Sequence, residues 1–174
     1  MNSKTILGLS FAAIFAVSMI ATQTASAESD YLDITKAKLV EKKNHVNMHI
    51  KVAGNINDGI DPITNEGFFG YAALTDDFSG VLAVTYHEPI VDSAEQPGWH
   101  AHVVDLTTTT SCGSGLAVAS ASFDEPGHTS VTRNNVVVNQ VSPDDVGNFS
   151  GVFASFELTI ESGEVCVNPV DFFS

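Results

Sequence analysis

The chain has 174 residues, with seven Lys or Arg against twenty-one Asp or Glu, a formal charge of −14 at pH 7 and two cysteines. So acidic a surface repels nucleic acid and anionic lipid, which excludes polyanion partners, and it stays soluble over a wide range of salt. The length suits one domain with a single core.

The first segment sets the expected compartment. Lys4 gives a positive start, Ile6 to Ala21 is an apolar run broken only by Gly and Ser, and Ala25-Ser26-Ala27 has the small-x-small form of a cleavage site. Residues 1–27 are therefore expected to be a signal peptide. Its sixteen-residue run falls short of the roughly 20 that a spanning helix needs, and no later stretch could cross a bilayer. The expected protein is secreted or extracytoplasmic, free or associated with the cell surface. Cleavage takes Lys4 with it and leaves residues 28–174, 147 residues with a formal charge of −15, as one domain.

Tyr31 to Val40 and Asn44 to Ala53 read as a hairpin. Val46, Met48, Ile50 and Val52 alternate with His45, Asn47, His49 and Lys51, and Glu41-Lys42-Lys43 makes the polar turn. His45 and His49 are expected on the wet face. Gly54 to Gly67 is breaker and carboxylate and reads as a loop, without the glycine-centred spacing of an EF-hand.

Phe68 to Thr75 and Val81 to His87 are apolar runs flanking Asp76-Asp77-Phe78-Ser79-Gly80, which predicts a second hairpin. Neither alternates cleanly, as expected of central strands covered on both faces. A connection rich in Pro and carboxylate leads to a strand over Trp99 to Leu106. Leu116 to Phe123, Ser130 to Thr132, Val136 to Val141, Phe149 to Ile160 and Val165 to Val170 complete the list. About ten short strands and no amphipathic helix after residue 27 predict an all-β antiparallel sandwich, with a closed barrel as the alternative.

In Phe149 to Ile160, Val152, Ala154, Phe156, Leu158 and Ile160 share one face, with Ser155, Glu157 and Thr159 opposite, so the strand is expected to be half buried. Asn148-Phe149-Ser150 is a glycosylation sequon in a turn, with Asn148 the acceptor. Cys112 and Cys166 each stand alone, without a Cys-x-x-Cys or a nearby His, which favours a disulfide over thiolate metal ligation.

The stretch that looks built for chemistry is Trp99-His100-Ala101-His102. On a strand, residues two apart share a face, so His100 and His102 point the same way, with Val104 and Leu106 beside them. Turned inward, two imidazoles need partners, and a divalent ion satisfies one nitrogen of each. Turned outward, with Trp99 as the core residue, they are a solvated row. His87 closes the preceding strand thirteen residues away, close enough for neighbouring strands to bring a third imidazole. His128 is the candidate fourth ligand. Glu88 and Asp105 are the candidates to accept an imidazole N–H. Three His with an open position is the set of catalytic zinc or a type-2-like copper centre, so copper or zinc is the expected cofactor.

Lys36-Ala37-Lys38-Leu39, Val52-Ala53-Gly54, Thr85-Tyr86-His87, Asp92-Ser93 and Trp99-His100-Ala101-His102-Val103 together resemble a group of exported proteins of ammonia-oxidising archaea. The resemblance spans most of the chain after residue 27 and implies an extracytoplasmic β-rich domain, without implying an activity. His100-x-His102 on a strand, a loop Cys112 and a later Cys166 are also similar to copper–zinc superoxide dismutases, where such a pair supplies two copper ligands. That likeness carries over to His100 and His102 alone, because the chain lacks a Gly-Asp-Leu-Gly-Asn motif and a His-rich zinc loop.

Three functions are open at this point. The chain is a metal-handling or metal-supported surface domain binding one copper or zinc ion, a redox or hydrolytic enzyme on the same ion, or a structural or adhesive surface domain with no metal.

Overall fold

The strictest alternation in the chain makes its first hairpin. β1 (Ile34–Lys42) pairs antiparallel with β2 (His45–Val52), in which Val46, Met48, Ile50 and Val52 are buried and the residues between them face outward. The computed structural model describes residues 30–64, 67–87 and 98–174, and the expected signal peptide lies outside these residues. A 3-10 turn, Ile56–Gly59, follows β2 and buries Ile56 completely, an apolar anchor inside a stretch whose composition reads only as loop.

Next come β3 (Phe69–Thr75), β4 (Val81–His87), β5 (Gly98–Thr108) and β6 (Leu116–Ala121). After them β7 (His128–Thr132), β8 (Asn135–Val141), β9 (Phe149–Glu161) and β10 (Glu164–Phe173) complete the fold. Both expected architectures are present together. β1, β2, β8 and β7 form a four-stranded sheet in that order, and β10, β6, β5, β4, β3 and β9 form a closed barrel. All recorded pairings are antiparallel.

The four-stranded sheet packs on the outside of one wall of the barrel, so β3, β4 and β5 are covered twice. One face of these strands carries Phe69, Tyr71, Leu82, Val84, Tyr86, Trp99 and Ala101, which meet Val46, Met48, Ile50, Val136, Val138 and Val141 of the sheet. The other face carries Ala72, Val81, Ala83 and Val104, which meet Phe156, Leu158 and Val167 inside the barrel. Burial on both sides removes any need for polar alternates, which is why β4 is buried at every position.

The inter-sheet core is built on rings. Trp99 lies edge-on to Phe69 and Tyr86, with centroids 5.2 and 5.4 Å away, and stacks on Tyr71 at 6.1 Å. The Tyr71 hydroxyl donates to the Tyr31 carbonyl, and burial pushes this phenol far above its ordinary pKa. Ser155 is fully buried, its hydroxyl donating to the Leu32 carbonyl at 2.6 Å, and Asp171 accepts the Ile34 amide at 2.9 Å. These three bonds sew the segment before β1 to the barrel.

β9 departs from the half-buried pattern expected of it. Its middle, Phe153 to Phe156, is covered on both faces, with Phe153 and Ser155 toward the inter-sheet core and Ala154 and Phe156 inside the barrel, whereas Ile160 at its late end is 60 % exposed. The barrel closes where β10 meets β6 at the single pair Cys166 with Ala117, and the Cys112–Cys166 disulfide stands at the same place, with Cα atoms 5.5 Å apart. Asn148 of the sequon is exposed in the connection before β9, and the Ser150 hydroxyl of the same triplet donates to the Leu74 carbonyl.

Candidate metal centre

β4 and β5 are joined in a register that sets Thr85 opposite His100, Ala83 opposite His102 and His87 opposite Gly98. Cross-strand partners lie on the same face of a sheet. Since Ala83 faces the barrel interior, His87, His100 and His102 face it too. The rivalry between Trp99 and the histidines for the core therefore resolves without a loser. Trp99 packs between the sheets, while His100 and His102 turn into the barrel from the same strand.

His87 is 7 % exposed and His102 8 %, with His100 half-buried. Their rings form a tight cluster. His87 and His102 are nearly parallel, at 12° and 5.8 Å between centroids, and His100 stands edge-on to both at 4.6 Å. One ligand atom from each lies within 4.8 Å of the others, so the three could hold a metal ion. The Nε2 atoms of His87 and His100 are 3.2 Å apart. Two nitrogens bound at 2.0–2.1 Å on a tetrahedral ion stand about 3.3 Å from each other.

Backbone carbonyls orient two of the rings. His100 Nδ1 lies 2.8 Å from the Gly98 carbonyl and His102 Nδ1 lies 3.0 Å from the Ser122 carbonyl. A neutral imidazole that donates its Nδ1–H carries its lone pair on Nε2, the nitrogen that a metal takes. A carbonyl behind the far nitrogen is also the usual device that fixes the tautomer of a metal-binding histidine.

Both carbonyls are themselves held. Gly98, whose carbonyl faces the His100 ring, has φ +125, a conformation that residues with a side chain rarely adopt. Ser122 is clasped by Val103, donating its amide to the Val103 carbonyl and accepting the Val103 amide on its hydroxyl. Thr85 stands across from His100 on the same face. It is 5 % exposed, and its hydroxyl has no hydrogen-bond partner among the described residues.

The remaining sequence candidates lie elsewhere. His128 is the exposed first residue of β7, in the four-stranded sheet, and is not part of the cluster. Strand alternation turns Thr129 and Val131 toward the core and His128 away from it. Asp105 lies three residues beyond His102, at the opposite parity, and accepts no imidazole N–H. Its carboxylate accepts the Gly80 amide at 2.9 Å and the Ser120 and Ser79 hydroxyls at 2.8 and 3.1 Å. That amide first, then the two hydroxyls, hold its pKa below the usual carboxylate value. Asp105 is thus a tie between β5, β6 and the β3–β4 turn, and the orienting role falls to the Gly98 and Ser122 carbonyls. Glu88 lies outside the described residues.

Those carbonyls are what sequence reasoning missed. Main-chain oxygens leave no letter, although a glycine two residues before His100 was the available sign. The same holds for Gly70 on the barrel face of β3. An added Cβ there would come within 2.7 Å of Phe156 Cζ and 3.0 Å of Thr85 Cγ2, so the wall beside the cluster closes only around a glycine.

No family model, no curated protein and no solved structure matches the chain.

Proposed function

We propose that this chain is an exported, acidic β domain that binds one copper or zinc ion through His87, His100 and His102, acting in metal handling or as a metal-supported surface module. The reading rests on one observation, the 3.2 Å separation of the His87 and His100 Nε2 atoms inside a cluster whose third imidazole is oriented in the same manner. Imidazole suits both zinc and copper, and neutral nitrogen donors in a half-dry site bind either without further charge.

The ligand set also supports a second reading, a redox or hydrolytic enzyme on the same ion. Three imidazoles are the protein share of a zinc site that keeps a coordination position for water or substrate. Among the described residues, the cluster contains no thiolate or carboxylate to close that position.

The test is metal stoichiometry. EDTA-treated protein, dialysed against zinc or copper and measured by elemental analysis, should take up one equivalent, and His100→Ala and His102→Ala should each lose it. Saturating metal at 100 times Kd should stabilise the folded state by about 2.7 kcal/mol. Uptake that is unchanged in both variants removes these three ligands, and no uptake at all removes the metal and leaves the inert surface module.

A further inference from the structure

The barrel holds a cavity of about 420 Å³ beside the histidine cluster, lined by Ala72, Ala83 and Ala154 on one side and Leu116, Val118 and Val167 on the other. Barrels with few strands are ordinarily filled by their own side chains. This one keeps free space where β3, β4 and β9 present Ala72, Ala83 and Ala154 to the interior. Ligand pockets run from about 300 to 1,000 Å³, and they are lined predominantly by apolar side chains, as this cavity is.

The lining continues to Phe78 and Phe172, with Thr75, Asp76 and Ser150 as its polar members. Phe78 of the β3–β4 turn and Phe172 of β10 are 40 % and 46 % exposed. Phe78 sits at φ 61, uncommon for a large side chain, and its carbonyl accepts the Leu106 amide at 2.9 Å. The turn that carries it is therefore fixed to β5. Asp105 adds a second fixation by holding Ser79 and Gly80. The inner end of the cavity is set by register: Ala83 and Val104 line it, Ala83 pairs with His102, and Val104 lies two residues along the same strand face.

We propose that the barrel interior binds one uncharged, apolar small molecule, which enters beside Phe78 and Phe172 and reaches to Ala83, next to His102. A cavity of roughly 150 Å³ holds benzene, so this one takes a ligand of on the order of ten to fifteen carbon atoms. The inference goes beyond the metal reading and does not depend on it. If both hold, the ligand ends against the metal-bearing wall, and the apolar molecule is the substance on which the ion acts.

The experiment uses 1-aminoanthracene, a fluorescent apolar probe of this size, titrated into EDTA-treated protein. The expected result is saturation at one probe per chain, with a blue-shifted emission. Ala72→Leu and Ala154→Leu, which fill the void, should each weaken binding at least tenfold while melting no lower than the parent. Ile160→Ser and Val170→Ser, at exposed positions that do not line the cavity, should change it less than twofold. Should a filled variant fail to melt cooperatively, Phe172→Glu, which places a charge at the entrance, should give the same tenfold loss. A titration that does not saturate, or binding lost in Ile160→Ser and kept in the filled variants, overturns the proposal and assigns the probe to the outer surface. His100→Ala titrated in the same way separates the two readings, since it should lose the metal and keep the probe within twofold.

Discussion

The two faces of β3, β4 and β5 are made from one set of strands and do opposite things. Toward the four-stranded sheet they present Phe69, Tyr71, Tyr86 and Trp99, locked ring against ring. Toward the barrel interior the same strands present Gly70, Ala72, Ala83, Thr85 and the three histidines. The first face is packed to hold, and its large side chains supply the burial that stabilises a domain of this size. The second sets small and polar residues among Leu74, Val81, Val104 and Leu106, and these leave room and place donors. Stability and candidate chemistry are thus separated by a single residue of strand parity.

Breaking the packed face should have the largest effect. Tyr71→Ala removes a fully buried ring and the hydroxyl bond to the Tyr31 carbonyl, and by analogy with other buried aromatics should cost about 3–5 kcal/mol in a denaturant melt. Ala72→Leu, one residue away on the hollow face, should cost nothing measurable. Equal losses in the two variants would mean that the interior is as tightly filled as the inter-sheet core.

Opening the barrel comes next. Replacing Cys112 and Cys166 by Ser removes a cross-link spanning 54 residues, which should cost about 2–5 kcal/mol. The loss should be uneven. Amide hydrogen exchange should accelerate first in β6 and β10, whose only recorded pair is Cys166 with Ala117, and last in β2 and β8, on the far side of the aromatic core. A uniform acceleration would show that the two faces fail as one unit.

The smallest effect sharpens the comparison at the cavity entrance. The Asp105 carboxylate has a lower pKa in the fold than its reference value of 3.8, so its contribution is fully present above that value and is lost as pH falls through the folded value. The group is well hydrated, and solvent screening limits the contribution to a few tenths of a kcal/mol. Asp105→Asn should therefore lower stability slightly near neutrality and draw level with the parent as pH falls below about 4, flattening the acid limb. A variant with an unaltered acid limb would place those hydrogen bonds among contacts without energetic weight.

Much of this was legible in the residues, and the exceptions are instructive. β2 could be read from the strict alternation of Val46, Met48, Ile50 and Val52, and β4 is bounded by the Gly80 turn and His87. Pairing of His87 with the His100 and His102 strand was legible because a short connection makes neighbours of successive strands. Closure of β10 onto β6 was not, since alternation reports which face is buried and carries no information about distant partners. His128 failed as a ligand for the same reason. Its strand lies in the other sheet, and nothing local in Pro126-Gly127-His128 records that. Asp105 looked available to an imidazole because the Ser79 and Gly80 groups that hold it lie some 25 residues upstream.

The manner of closure has a consequence for how the molecule is made. β10 follows every strand it joins, and until it arrives β6 and β9 are raw borders of an open curl, with unpaired amides and carbonyls along both rims. A chain delivered from its front end passes through that state at full length, and the thiol of Cys112 waits for Cys166 across 54 intervening steps. Pairing of β10 before oxidation, with the ends of the curl kept apart from those of other nascent chains, is the order of assembly that such a seam demands.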